Sequence, residues 1–179
     1  MMQDYYVIEN VLSEKLLDSL EKLYTKHDQK FLRIPTEIDA CYLQKINPIY
    51  SKEILRRISE ETNMNLKELV TVARLNDVDK DTKIRIHSDG EIVGRNPEWA
   101  SVLYLESDDD GGTALFESET EGDRVKGSYR VFHEIGDFKV KLFNKAKRNT
   151  LFLYRACLLH GRQPFHYPKR RVVIVSFFN

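Results

Sequence analysis

His87-Ser88-Asp89, with His160 far downstream, supplies two imidazoles and one carboxylate. That is the donor set of the facial triad that holds non-haem Fe(II) with coordination positions left open. Successive side chains alternate faces along a strand, so His87 and Asp89 point the same way if the strand persists through both. Nitrogen and oxygen donors without a thiolate also suit Zn(II), Mn(II) or Co(II), so ligand type alone does not choose the metal. Three protein ligands leave room for exogenous ones, which favours catalysis over a structural role. A lone His-x-Asp is weak evidence, and a histidine before an Asp-Gly turn is commonly a surface residue. What sets this one apart is the order of the pieces around it. A Tyr104-bearing strand follows, then a Gly-Gly turn, a strand ending near His160, and an apolar strand headed by Arg170 and Arg171. A guanidinium fork there could grip the carboxylate of a small cosubstrate.

Other groups compete less well. His133 has no partner at ligand spacing, and His166 lies too close to His160 in a Pro-rich turn to share its geometry. Trp99 reads as core or rim packing. Asp108-Asp109-Asp110 lacks the oxygen spacing of a calcium loop and reads as a solvated turn. Lys139, Lys141, Lys145, Lys147 and Arg148 form a basic cluster that could touch phosphate, although such runs usually face water.

The elements that must position these residues come in two blocks. Tyr5 to Ile8 is a short β-prone run. Ser13 then caps a helix to about His27, with Leu16, Leu17, Leu20 and Leu23 as its apolar stripe. Pro35 and Pro48 break an irregular or short-stranded stretch, Phe31 to Tyr50. A second helix is expected from Ser51, its cap, to Thr62, with Ile54, Leu55 and Ile58 inward. From Leu66 the pattern turns to strands: Leu69–Leu75, Lys83–His87, Ala100–Leu105, Thr113–Phe116, Thr150–Tyr154 and Val172–Phe178. Asn76-Asp77, Asp89-Gly90, Asp110-Gly111-Gly112 and Pro164 punctuate them. Short strands without intervening helices point to an antiparallel sandwich or barrel. Glu117 to Lys147 is polar and Gly-spaced, read as a hairpin with a mobile loop.

Composition sets the bounds. A chain of 179 residues makes one domain, with residues 1–65 as helical support and 66–179 as the β-rich core. Its 41% hydrophobic and 31% charged residues are ordinary for a soluble globular protein, and a formal net charge of zero gives no global pull toward nucleic acid or an acidic membrane. Cys41 and Cys157 fit no metal or redox spacing and read as reduced core thiols. No secretory signal and no membrane-spanning apolar run is apparent, so a cytoplasmic location is expected.

Taken together, His87-Ser88-Asp89, Ser101 to Leu105, Gly111 to Phe116, Asn149 to Tyr154, and His160 with Arg171 to Val175 resemble the Fe(II)- and 2-oxoglutarate-dependent dioxygenases, nearest the small prolyl-4-hydroxylase-like branch. The similarity runs nearly end to end. It implies a mainly β fold, a double-stranded β-helix (a cupin-like jelly roll) flanked by N-terminal α-helices. It also implies roles: His87, Asp89 and His160 as iron ligands, with Arg171 and Tyr104 holding the distal carboxylate of 2-oxoglutarate. Fe(II), 2-oxoglutarate and O2 would then be required, with ascorbate as a supporting reductant and succinate and CO2 as products. Retention of Asp89 favours hydroxylation over halogenation, since halogenases of the superfamily leave that position to chloride. The resemblance tilts the substrate toward a peptidyl proline or an amino acid, with a nucleobase or small metabolite open. In that reading Glu117–Lys147 is a lid or recognition loop. The sequence departs from the family where a tyrosine often precedes the His-x-Asp; Arg74-Leu75-Asn76 stands there instead. The longer gap from His160 to the arginines leaves Arg170 as an alternative to Arg171. The rival readings are a cupin-like metalloprotein that does not use 2-oxoglutarate and a non-catalytic jelly-roll binding module.

Overall fold

In the computed structural model, residues 3–24, 32–35, 40–76, 86–117, 131–132, 139–163 and 171–179 are described. The chain runs β1 (Tyr5–Glu9), α1 (Glu14–Tyr24), β2 (Leu32–Pro35), β3 (Ala40–Lys45), α2 (Pro48–Thr62), β4 (Glu68–Asn76), β5 (Ile86–His87), β6 (Trp99–Tyr104), β7 (Asp108–Phe116), β8 (Val131–Phe132), β9 (Val140–Ala146), β10 (Thr150–Arg155), β11 (His160–Gln163) and β12 (Arg171–Phe178).

Two antiparallel sheets form the body. One has the order β1-β10-β6-β12-β4-β3-β2 and the other β8-β5-β11-β7-β9. From β4 to β12 the chain crosses between sheets at every connection except that from β7 to β9, where β8 adds to the far edge. The result is the expected double-stranded β-helix. The N-terminal third does more than supply helices: β1 lengthens one end of the larger sheet, and β3 and β2 lengthen the other.

The larger sheet is buried on both faces, so β6, β10 and β12 read as nearly continuous apolar runs. On the outer face Trp99, Leu103, Leu151, Leu153, Val172, Ile174 and Ala73 pack with both helices. On the inner face Ala100, Val102, Phe152, Tyr154, Val173 and Val175 meet Leu115, Ala146 and Leu142 of the smaller sheet. Strand alternation assigns the faces, and Tyr104 and Arg171 lie on the inner one.

The helices dock by a narrow stripe. In α1, Ser13 caps as expected, its Oγ accepting from Leu16 N at 3.4 Å. Leu17, Leu20 and Tyr24 are the buried positions, while Leu23 is 39% exposed; a span of i, i+3 and i+7 points one side inward and leaves Leu23 off it. The helix α2 begins earlier than expected. Asn47, not Ser51, is its cap, the Asn47 side chain accepting from Ile49 N at 3.0 Å with Pro48 in the first turn. Ser51 is instead buried inside the helix and donates back to the Pro48 carbonyl. The helix ends at Asn63 in the left-handed conformation, its N–H donating to the Ser59 carbonyl.

Two further departures are informative. Asp108, Asp109, Asp110, Gly111 and Gly112 belong to strand β7 rather than to a solvated turn. The pairing with β9 shifts between Asp108 and Gly112, a bulge that absorbs the polar run without ending the strand. A Cβ on Gly112 would stand 2.2 Å from the Asn144 carbonyl oxygen, so β9 leaves no room for a side chain at this position. Next to the site, Ile92 and Arg95 exchange backbone hydrogen bonds around Val93-Gly94, both with positive φ (51° and 73°). Val93 is 76% exposed there.

The basic cluster is largely neutralised within the fold. Arg148 pairs with Glu14, Asp18 and Glu21 of α1, Lys147 with Glu9, and Lys139 with Glu117. Next to them Asn149, at φ 59°, accepts from Leu12 N at 2.9 Å and donates to the Leu12 carbonyl at 2.8 Å. This ties the β9–β10 turn to the entry of α1. Cys157 is a free, half-buried thiol.

Candidate active site

The short pairing of β5 with β11 puts His160 directly across from His87. Their rings lie 4.3 Å apart, centroid to centroid. The strand β5 ends at His87, so it does not persist through Asp89 as the sequence reading supposed; instead the Asp89 N–H donates to the Ala156 carbonyl at 2.9 Å, anchoring it to the turn between β10 and β11. One ligand atom from each of His87, Asp89 and His160 lies within 4.8 Å of the others. His87 Nε2 is 3.8 Å from Asp89 Oδ1, and His160 Nε2 is 3.6 Å from Asp89 Oδ2.

Three details fit this trio to a cation. Asp89 Oδ2 is buried and has no hydrogen-bond partner, a costly state for a carboxylate oxygen unless a positive charge meets it. His160 Nδ1 lies 2.9 Å from the Leu158 carbonyl, which fixes the proton there and turns the Nε2 lone pair toward Asp89. Burial pushes the Asp89 carboxyl above its usual range, opposed by the His160 ring and the Arg74 guanidinium. A divalent ion bound by the three would remove that penalty. The residues present therefore suit a metal with two nitrogen ligands and one oxygen ligand.

Deeper between the sheets lies a second polar group. Tyr104, at the end of β6, donates from its hydroxyl to Thr113 Oγ1 at 2.8 Å. Burial raises its phenol, against the pull of Arg171, Thr113 and Asn144. Arg171 opens β12, is 9% exposed, and donates to the Gly112 carbonyl at 3.2 Å. Its guanidinium carbon sits 5.7 Å from the centroid of the Tyr104 ring. The register β12–β6 pairs Val173 with Tyr104, and Arg171 lies two residues before Val173 on the same face. A buried arginine, a phenol and a hydroxyl thus converge, an arrangement that can bind a carboxylate.

Among the expected site residues, the structure brings His87, Asp89 and His160 into one cluster and Tyr104 and Arg171 into another. Arg170, His133 and His166 lie outside the described residues, as does most of the expected loop within Glu117–Lys147. Several inward-facing groups went unnoticed in the sequence. Thr113 and Asn144 flank Tyr104, and Arg162 registers with Thr113 on the face that carries His160. Tyr154 is fully enclosed, with its ring 4.6 Å from that of His160; burial first, then the Asp89 and Tyr104 oxygens, drive its phenol well above the ordinary value. Arg74 faces inward from β4. Only the residue-by-residue pairing of the strands reveals these, because a strand read alone does not say which face is inside.

No protein-family model matches the sequence, and no curated protein does either. Solved structures do match. The non-heme α-ketoglutarate-dependent epimerase SnoN from nogalamycin biosynthesis aligns with TM-score 0.68 at 8% identity, over 99% of this chain and 78% of SnoN. HygX from Streptomyces hygroscopicus, with nickel, 2-oxoglutarate and hygromycin B bound, gives TM-score 0.59 at 13% identity over 99% and 83%. A Pseudomonas putida prolyl-4-hydroxylase gives 0.63 at 14% identity over 98% and 92%. The fold is that of the 2-oxoglutarate-dependent iron oxygenases. At such low identity the likeness is one of architecture. In this oxygenase fold the two sheets bring His87, Asp89 and His160 together, with Tyr104 and Arg171 deeper between the sheets.

Proposed function

We propose that this protein is an Fe(II)- and 2-oxoglutarate-dependent dioxygenase that hydroxylates a peptidyl or amino-acid substrate, releasing succinate and CO2. The observation that carries this is the convergence of His87, Asp89 and His160 around a buried carboxylate oxygen that lacks a hydrogen-bond partner. When bound, Fe(II) would supply the activation of O2 coupled to decarboxylation of 2-oxoglutarate. The protein's own part is positional. His87, Asp89 and His160 would hold the metal and leave coordination positions open. Leu158, through its carbonyl, keeps His160 in the tautomer that presents Nε2. Arg171 and Tyr104 would grip the distal carboxylate, with Thr113 orienting the phenol. Val102, Phe152 and Val175 on the inner face keep water away from the reacting centre.

The resemblance in sequence, the oxygenase fold and the donor set support this reading together. Hydroxylation is our choice of outcome because Asp89 keeps the third ligand position. A cytoplasmic location goes with it, since a free Cys157 thiol and an Fe(II) centre both suit a reducing compartment.

The test is direct. Anaerobic Fe(II) or Mn(II) uptake should be stoichiometric in the wild type and lost in His87→Ala and Asp89→Ala. The metal-loaded wild type should bind 2-oxoglutarate. Metal uptake without any 2-oxoglutarate binding would replace this proposal with the cupin-like alternative, and unchanged metal content in both variants would end the enzyme reading altogether.

A further inference from the structure

Three hydroxyl side chains stand in a row across the middle of the larger sheet, where strands buried on both faces ordinarily carry apolar residues. Thr71 of β4 pairs with Ser176 of β12, and Ser176 pairs with Ser101 of β6. All three point to the outer face. Their chain neighbours Val72, Val175 and Val102 belong to the inner layer, while Ala73, Ile174 and Leu103, two residues along each strand, pack with the helices. Ser101, Ser176 and Thr71 are only 0%, 1% and 4% exposed. Not one of the three hydroxyl oxygens has a hydrogen-bond partner. The Gln44 side-chain oxygen, on β3 beside Ala73, is buried and unpartnered as well and extends the row at its Thr71 end.

A hydroxyl taken out of water without a replacement bond is costly, and here three adjacent ones share that state. The spacing of the strands explains why they do not satisfy one another. Neighbouring strands stand about 4.8 Å apart, so oxygens placed alike on them are too far for a direct hydrogen bond of about 2.8 Å. The same gap suits one small molecule that is bent at its oxygen and both donates and accepts. Each hydroxyl has one donor and two acceptor positions, so Ser176 in the middle can serve a bridge on either side. The three groups are neutral, which favours a neutral occupant over an ion.

We propose that Thr71, Ser176 and Ser101 bind ordered internal water, one molecule in each gap of the row, as a hydrated seam within the otherwise apolar layer between the larger sheet and the helices. The seam lies on the face of that sheet turned away from the metal-binding trio, and it stands whether or not the protein is an oxygenase.

The experiment uses full-length protein without added metal, with water itself as the probe. Oxygen-17 magnetic relaxation dispersion reads the long-lived internal waters of the wild type, S176A and S101A, and thermal unfolding is followed for each. Ser176 borders both gaps and Ser101 only one, so the dispersion amplitude should fall in both variants and further in S176A. The Tm of S176A should drop by about 2–4 °C, because the bridging waters lose a partner. A dry row predicts the opposite sign, since deleting an unpartnered buried hydroxyl helps the fold. A Tm of S176A above the wild type, or an amplitude unchanged in both variants, therefore overturns the assignment. Should S176A fail to fold, as judged by circular dichroism, S101A decides by the same two readouts.

Discussion

Asp89 carries a cost in the metal-free protein that a bound cation would lift. Its Oδ2 is enclosed without a hydrogen bond, and its neighbours do not offset the desolvation that raises its pKa. Removing the charge should therefore help the empty fold while ending metal uptake. Asp89→Asn is expected to raise metal-free stability by about 1 kcal/mol, read as a higher Tm. A divalent ion at about a hundred times its Kd should stabilise the wild type by about 2.7 kcal/mol and leave Asp89→Asn unmoved. Calorimetric scans of both proteins with and without Mn(II) check the pair of statements. At the other end of the cavity, Arg171→Ala removes one partner of a buried contact. Affinity for 2-oxoglutarate should fall by about 2–5 kcal/mol, with Mn(II) uptake retained; titration calorimetry reads both. That His87, Asp89 and His160 would gather, with Tyr104 and Arg171 as a second group, was legible in the sequence because their types and order are unusual together. Thr113, Asn144 and Arg162 were not, since each looks like an ordinary strand residue until its partner across the ladder is known, and Arg74 stood out only as a departure from the resembled family's tyrosine.

Elements were legible where hydrophobic period and length agreed. The strands Leu69–Leu75, Ala100–Leu105, Thr150–Tyr154 and Val172–Phe178 fall close to where the sequence pattern places them, while residues 83–85 of the expected strand Lys83–His87 lie outside the described residues, and α1 starts at its serine cap. Boundaries failed where a local polar run mimics a turn. The Asp108–Gly112 segment has every mark of a loop in composition, yet a bulge lets it pair with β9 as the opening of β7. Likewise Ser51 looks like a cap, but Pro48 is compatible with the first turn of a helix and Asn47 takes the role. Gly112→Ala tests the close approach of β7 to β9. The added methyl would meet a backbone carbonyl, so the strands must part. We expect a lower Tm together with weaker 2-oxoglutarate binding, because Thr113 and the Gly112 carbonyl both serve the Tyr104–Arg171 group. The Asn149 clamp gives a second handle. Asn149→Ala deletes both bonds to Leu12 and puts a Cβ-bearing residue without local hydrogen bonding at φ 59°, which should cost about 2–3 kcal/mol in denaturant unfolding. Asn149→Gly should cost less, since glycine accepts that conformation.

At the scale of the whole molecule, the larger sheet separates two apolar layers with different duties. The outer layer, sheet against α1 and α2, supplies stability remote from the candidate site; the inner layer lies on the side of Tyr104 and Tyr154, whose ring is 4.6 Å from that of His160. Leu20→Ala in the outer layer should cost about 2–5 kcal/mol of stability while leaving metal and 2-oxoglutarate affinities intact in the folded fraction, measured by urea unfolding and titration. The fold class was readable from the succession of short strands, and the double-stranded β-helix came from the resemblance. What the sequence could not convey was the widening of the sheet by β1, β2 and β3, because edge pairing depends on partners far along the chain. One surface position offers a different use. A β-branched side chain at Val93 holds a backbone geometry that asparagine or glycine adopts far more readily. Replacing it with asparagine would relax the hairpin tip four residues beyond Asp89, giving an engineer a tougher starting scaffold whose chemistry is untouched.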